Sequence, residues 1–329
     1  YGQYDVQPVD PIELWESGPF EPTVRQGELY ARGAADDKGQ VFIHFKSAEA
    51  FVNTGGRIPV NIKFLIEGEE EIGSPHLDAF IEENQKLLEA DVVMVSDTAM
   101  FARGVPSICY ALRGLIYFQV DLEGASTDLH SGSFGGVVVN PAFELSRILA
   151  QMKDETGRIT IPNFYDQVRD LSVRERQEFA RLPFDEAAYR KDIGIREFSG
   201  EEGYSPLEQL WTRPTFEVNG LSSGFRGEGA KTVLPARAMA KVSFRLVPDQ
   251  TPARVRMLLD THLACVTPPG IEIEVIELHG GLPWKAEVGG PYFEAAATAL
   301  EEAFGTRPVL AGAGGSIPIV VEFERILGT

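Results

Sequence analysis

Four acidic clusters lie at the ends of expected strands or in the loops directly after them, and this spacing restricts the chain to few architectures. Gln3-Tyr4-Asp5 stands in GQYDVQP, and Asp36-Asp37 in RGAADDKGQ directly precedes an expected helix. Glu69-Glu70-Glu71 in LIEGEEEIGS and Asp97 in VSDT directly follow expected strands. Val41, Phe45, Ala48, Phe51 and Val52 fall at helical spacing and predict a helix over 40–54. Residues 60–66 alternate as a strand, 77–88 are again helical, and 92–96 form a continuous apolar strand. Strands alternating with helices of this length predict an α/β domain, a mostly parallel sheet with helices on both faces. Chemistry in such sheets collects beyond the carboxyl ends of the strands.

The texture changes near Leu115. Strands are expected at 115–122, 215–218, 237–246 and 271–278, and helices at 141–152 and 251–264. This β-α-β-β-α-β order is that of a split βαβ layer, an antiparallel sheet with two helices on one face. A charged, irregular insert over 153–213 interrupts it, and no role is assigned to that insert. After Gly280 and Gly281 come a helix at 292–304, a glycine cluster at 312–315 and a last apolar run. The expected division is a catalytic domain over 1–113 and 282–329, interrupted by an α+β domain over 114–281.

Thirty Lys and Arg against 49 Asp and Glu give a formal net charge of −19, which repels nucleic acid and anionic lipid. No apolar run approaches the roughly 18 residues needed to span a bilayer, so no membrane partner is expected. Cys109 and Cys265 lie far apart and join no Cys/His cluster, which reads as reduced residues of a cytoplasmic protein. Tyr1 is not a methionine and the chain opens directly on a motif, so further sequence is expected at both ends.

One carboxylate at a strand end is most simply a helix cap or a surface charge. Asp36 could cap the helix after it, and the Glu69–Glu71 triplet could sit at the positive end of the next. Four clusters on consecutive strand-loop-helix units would converge on one crevice, where unpaired carboxylates raise one another's pKa. A divalent cation resolves that conflict. His130 alone reads as an ordinary surface or core histidine, and Arg245 as a solvent-facing strand residue between Phe244 and Leu246. The glycine cluster alone reads as a mobile loop.

Taken together, GQYDVQP, RGAADDKGQ, EGEEEIGS, VSDT, DLHSGSFGG, GAKTVLPARAMAKVSFRLVPD and GAGGSIP resemble, in order, the motifs of the carnosinase-like dipeptidases. These belong to the two-zinc metallopeptidases that include aminoacylases, succinyl-diaminopimelate desuccinylase and glutamate carboxypeptidases. The resemblance implies a zinc-exopeptidase-like domain with an inserted lid and dimerisation domain, and hydrolysis of the amide bond of dipeptides or related acylated amino acids. It also implies two divalent ions, zinc first, with manganese or cobalt as substitutes.

By the same resemblance Asp36 would bridge the metals, with Asp97 and Glu71 each completing one site. Glu70 would be the general base toward a metal-activated water, whose pKa zinc lowers toward ~7. Asp5 would orient the ligand position two residues earlier, and the Asp36–Asp37 peptide would be cis. His130 would reach across a homodimer to polarise the scissile carbonyl. Thr232 and Arg245 would hold the terminal carboxylate of a small peptide, helped by Ser316 and Asn219.

The chain departs from that pattern at two ligand positions. Family members carry histidine where Gln3 stands, and a glutamine amide is a weak metal ligand. They carry another ligand histidine near the carboxyl end, whereas no histidine follows Gly281 here. Each metal site therefore keeps two carboxylates and lacks its histidine. Besides the hydrolase, a silent or impaired homologue acting as a dimeric binding protein stays open.

Overall fold

The computed structural model describes residues 1–329. The chain forms two compact units. The first gathers 1–109, 288–310 and 317–329, and the second gathers 110–287 and 311–316.

In the first unit the longest element is the helix Lys38–Gly55, closed by Gly56 in the left-handed region at φ 71°. It spans the segment where the sequence predicts a helix, yet none of its residues is buried. The helix expected over 77–88 breaks at Asn84 into Leu77–Glu83 and Gln85–Leu88. Pro291–Phe304 forms a further helix with Pro at its first turn, where the missing N–H costs nothing.

The expected mostly parallel sheet with helices on both faces is not what forms. Strand pairing is mixed: Gly2–Gln3 pairs in parallel with Ile66–Glu67, while the largest sheet is antiparallel. Of the two apolar stretches read as strands, 60–66 contributes only Ile66, in the two-residue strand Ile66–Glu67, and 92–96 contributes none. A strand exists through the neighbour that takes its N–H and C=O groups, and a parallel strand needs neighbours on its flanks. Val60, Ile62, Phe64, Val92 and Met94 stay exposed. Phe64 finds a local partner, stacking on Phe45 with ring centroids 4.6 Å apart.

The second unit is built on a four-stranded antiparallel sheet in the order Glu272–Gly281, Gly114–Glu123, Arg237–Leu246, Thr215–Ser223. Alternate residues of the central strands (Ile116, Phe118, Val120, Leu122; Ala238, Ala240, Val242, Phe244) turn into one core. The helices Pro141–Gln151 and Pro252–Val266 cover it with Leu145, Ile148, Val255, Leu259 and Leu263. Phe244 is fully buried at its centre, with the rings of Phe216, Phe164 and Phe118 at 5.0, 5.7 and 6.2 Å. This is the β-α-β-β-α-β layer that period-2 alternation predicts.

The 153–213 insert carries short helices, two of them opened by reciprocal caps, Ser172 with Glu175 and Ser205 with Glu208. It is pinned by Arg213, which binds Glu201 with both nitrogens of its fork at 2.9 and 2.6 Å, both side chains buried. No disulfide joins Cys109 and Cys265. No helix is long and apolar enough to cross a membrane.

Candidate functional site

In the first unit the parallel pairing of Gly2–Gln3 with Ile66–Glu67 sets Gln3 beside the loop that follows Glu67. Gln3 is 1% exposed. Its main-chain N–H donates to Asp37 Oδ2 at 3.2 Å, and its side-chain Nε2 donates to Asp36 Oδ1 at 3.2 Å and Glu70 Oε2 at 3.3 Å. The Asp36–Asp37 peptide is cis. Asp36 does not cap the following helix; Asp37 holds the cap position, and its carboxylate turns to Gln3 instead of the helix N–H groups. Asp5 accepts the main-chain N–H of Glu71 at 2.9 Å, and Gln7 donates to Glu71 Oε2 at 2.6 Å.

Crowded carboxylates in a half-buried setting hold their protons. Burial, then the charges of Asp97 and Glu71, pushes Glu70 up to about 8. Burial, then Asp37 and Asp36, pushes Asp97 up to about 7. Burial also raises Asp37, Glu71 and Glu67. Glu67 accepts from the Tyr1 hydroxyl and, at 2.9 Å, from Ser74.

The expected two-metal centre is not formed by these residues. No three His, Cys, Asp or Glu side chains group so that they could hold a metal ion. The physical reason starts at Gln3. An amide presents an N–H to Asp36 and Glu70, and a donor cannot ligate a cation. The amide oxygen that could is buried without a partner. Asp36, Glu71, Asp97 and Gln3 therefore do not act as a ligand set for zinc, manganese or cobalt. The expected reaction, a metal-activated water deprotonated by Glu70, falls with them.

The second unit brings together the other expected residues in two places. His130 ends a short strand, Leu129–His130, paired with Val233–Leu234, so Thr232 lies alongside it. Gly132 N–H donates to His130 Nδ1 at 3.0 Å, which leaves the ring proton on Nε2, 3.1 Å from Thr232 Oγ1. Arg245, on the sheet face opposite the core, donates from Nη1 to Ser316 Oγ at 3.0 Å. Asn219 is the extra residue of a bulge in the edge strand, where pairing steps from Lys241–Gly220 to Val242–Val218.

Sequence reasoning missed Arg113. It is 7% exposed, donates from Nε to Gly314 O at 3.0 Å and from Nη1 to Arg213 O at 3.2 Å, and its own carbonyl accepts the Ser316 hydroxyl. Burial, then the charge of Arg245, lowers it to about 10. The available signal was a lone arginine between Leu112 and Gly114 where apolar strand residues surround it.

Residues 1–328 match the model of peptidase family M20/M25/M40. The chain is 34% identical over 332 residues to beta-Ala-His dipeptidase of Homo sapiens, covering 99% of this chain and 66% of that protein. It is 34% identical over 337 residues to the Cys-Gly metallodipeptidase of Candida albicans, covering 100% and 69%. The crystal structure of human carnosine dipeptidase 1 superposes with a TM-score of 0.90 at 33% identity, covering 100% of this chain and 70% of that one. An M20 family metallo-carboxypeptidase from Sulfolobus solfataricus superposes with a TM-score of 0.87 at 36% identity, covering 100% and 74%. The chain spans about two thirds of the length of the curated relatives it matches. By resemblance it is a metallodipeptidase; its own residues lack the cluster such chemistry uses.

Proposed function

Because the chain belongs to peptidase family M20/M25/M40, we propose that it is a catalytically silent or impaired member that binds small peptides. The observation that carries this reading is the Gln3 amide. It donates hydrogen bonds to Asp36 and Glu70 where no metal-holding group of side chains exists. Relatives named as dipeptidases support a dipeptide as the ligand. Arg245 takes the terminal carboxylate in this reading, with Asn219 as a further contact, and His130 with the adjacent Thr232 reaches the ligand from the second copy of the dimer. The inserted, lid-like sub-domain is also the surface through which two copies pair.

The test uses the purified chain. Its metal content is measured, β-alanyl-histidine is supplied as substrate, and the same dipeptide is titrated calorimetrically. The reading expects metal well below one ion per chain, no hydrolysis, and saturable binding. Stoichiometric metal with turnover overturns the silent reading, and the absence of saturable binding overturns the ligand. Sedimentation at equilibrium checks the dimer, which a monomer mass at working concentration would exclude.

A further inference from the structure

In the second unit one serine hydroxyl joins the guanidinium of Arg245 to the main-chain carbonyl of Arg113. Arg113 is held by two main-chain carbonyls, Gly314 O and Arg213 O, instead of by a carboxylate. Its main-chain N–H also donates to Ala313 O at 3.3 Å, so this one residue grips the loop before Ser316 twice. Ser316 gives its only proton to Arg113 O and accepts Arg245 Nη1 on its lone pair. A hydroxyl has one proton to donate, so Ser316 has none left for an incoming anion. Arg245 forms no ion pair and keeps the rest of its donor fork uncommitted. Burial first, and then the charge of Arg245, lowers both Arg113 and His279.

We propose that Arg113 is a positioning residue that fixes Arg245 through Ser316, making a preorganised receptor for one carboxylate with Arg245 as its sole charged contact. Ser316 then aims Arg245 and does not bind the ligand itself, which sharpens the role given to it by resemblance. Neutral carbonyls hold Arg113 without cancelling its charge, so the site keeps the positive potential of two guanidiniums while only one meets ligand. Preorganisation is where such a site gains affinity, because an arginine already held in place loses less freedom on binding. The inference rests on Arg245 being the carboxylate contact of the proposed function.

Two measurements on the full chain keep the inference and that reading separable. The first is the rate at which phenylglyoxal modifies Arg245, read by peptide mass spectrometry without any ligand. Arg245 reacts several-fold faster in Ser316→Ala and in Arg113→Lys than in the wild type, and Ser316→Thr restores the slow rate. Equal rates in all four proteins overturn the positioning role. The second is calorimetric titration with glycylglycine and with glycylglycinamide, which lacks the carboxylate. Ser316→Ala and Arg113→Lys each weaken glycylglycine by about tenfold, leave the amide unchanged, and together cost no more than either alone. Additive losses, or equal losses for the amide, overturn the relay. A wild type that binds neither peptide, with the modification rates as expected, sinks the proposed ligand and leaves the positioning intact.

Discussion

The two units spend the same kind of sequence differently. In the second, apolar residues two apart on Gly114–Glu123 and Arg237–Leu246 close on two helices, and Phe118, Phe244, Leu145 and Leu259 are all but inaccessible to water. In the first, the helix Lys38–Gly55 buries nothing, and Phe42, Ile43, Phe45, Phe51 and Val52 remain exposed. Helical hydrogen bonds close within one segment, so the helix forms wherever its spacing is right. A sheet needs a continuous ladder, and the apolar stretches at 60–65 and 92–96 form none, meeting the amino-terminal segment only through Leu65 O and Met94 O. The lesson is that local structure and a core are separate achievements: the second unit has both at length, while the first buries only a few apolar side chains such as Ile81, Ala297, Ile319 and Phe323.

The largest test of this contrast is Phe244→Ala, which should destabilise the second unit by about 3–5 kcal/mol because three rings lean on that side chain. Chemical denaturation followed by hydrogen exchange of Arg237–Leu246 checks it. A loss under 1 kcal/mol, on the order of a single methylene, would show the core to be looser than its geometry. Next comes Glu201→Gln, which leaves Arg213 buried with a neutral partner and should cost about 3 kcal/mol. Calorimetry should place the whole loss in the second unit's transition.

A smaller effect belongs to the first unit and has a sign. Glu70 moves from 4.5 when unfolded to about 8 in the fold, and Asp97 from 3.8 to about 7. A carboxyl whose folded pKa is raised contributes fully below its unfolded pKa, and that contribution is lost as pH rises through the folded value. The first unit should therefore be most stable near pH 4 and weaken toward pH 8, as far as these two groups decide. Glu70→Gln should flatten that profile and raise the melting temperature at pH 8 by several degrees, at about 2–4 °C per kcal/mol. A melting temperature that climbs from pH 5 to 8 in the wild type would reverse the assignment. The smallest effect is Val52→Ala, expected within about 0.5 kcal/mol because that side chain is already half in water. A larger loss would mean the helix is covered in solution.

Legibility followed the same divide. The layer from Gly114 to Gly281 could be read from sequence because its two central strands, Gly114–Glu123 and Arg237–Leu246, alternate buried and more exposed residues and each helix keeps its own period. The parallel sheet could not, since an apolar run such as Val92–Val95 reports a wish for burial and says nothing of whether a partner strand is present. The acidic crevice was half legible. Motif order placed Asp36 and Glu70 near Gln3, but convergence on a metal is a question of where oxygens point, and one amide N–H reverses the answer. Arg113 stayed hidden because its partners are main-chain carbonyls a hundred and more positions away, which no side-chain pattern announces.

The uncovered helix has a consequence for how molecules of this chain treat one another. Five large apolar side chains stand exposed around the helix Lys38–Gly55 on each copy. What keeps copies apart is mutual repulsion, with a net charge of −19 on every one. That repulsion reaches about 30 Å at 0.01 M salt and only about 3 Å at 1 M. Colloidal behaviour is thus set by ionic strength: dilute buffer keeps the chains dispersed, and concentrated salt lets the exposed apolar side chains meet.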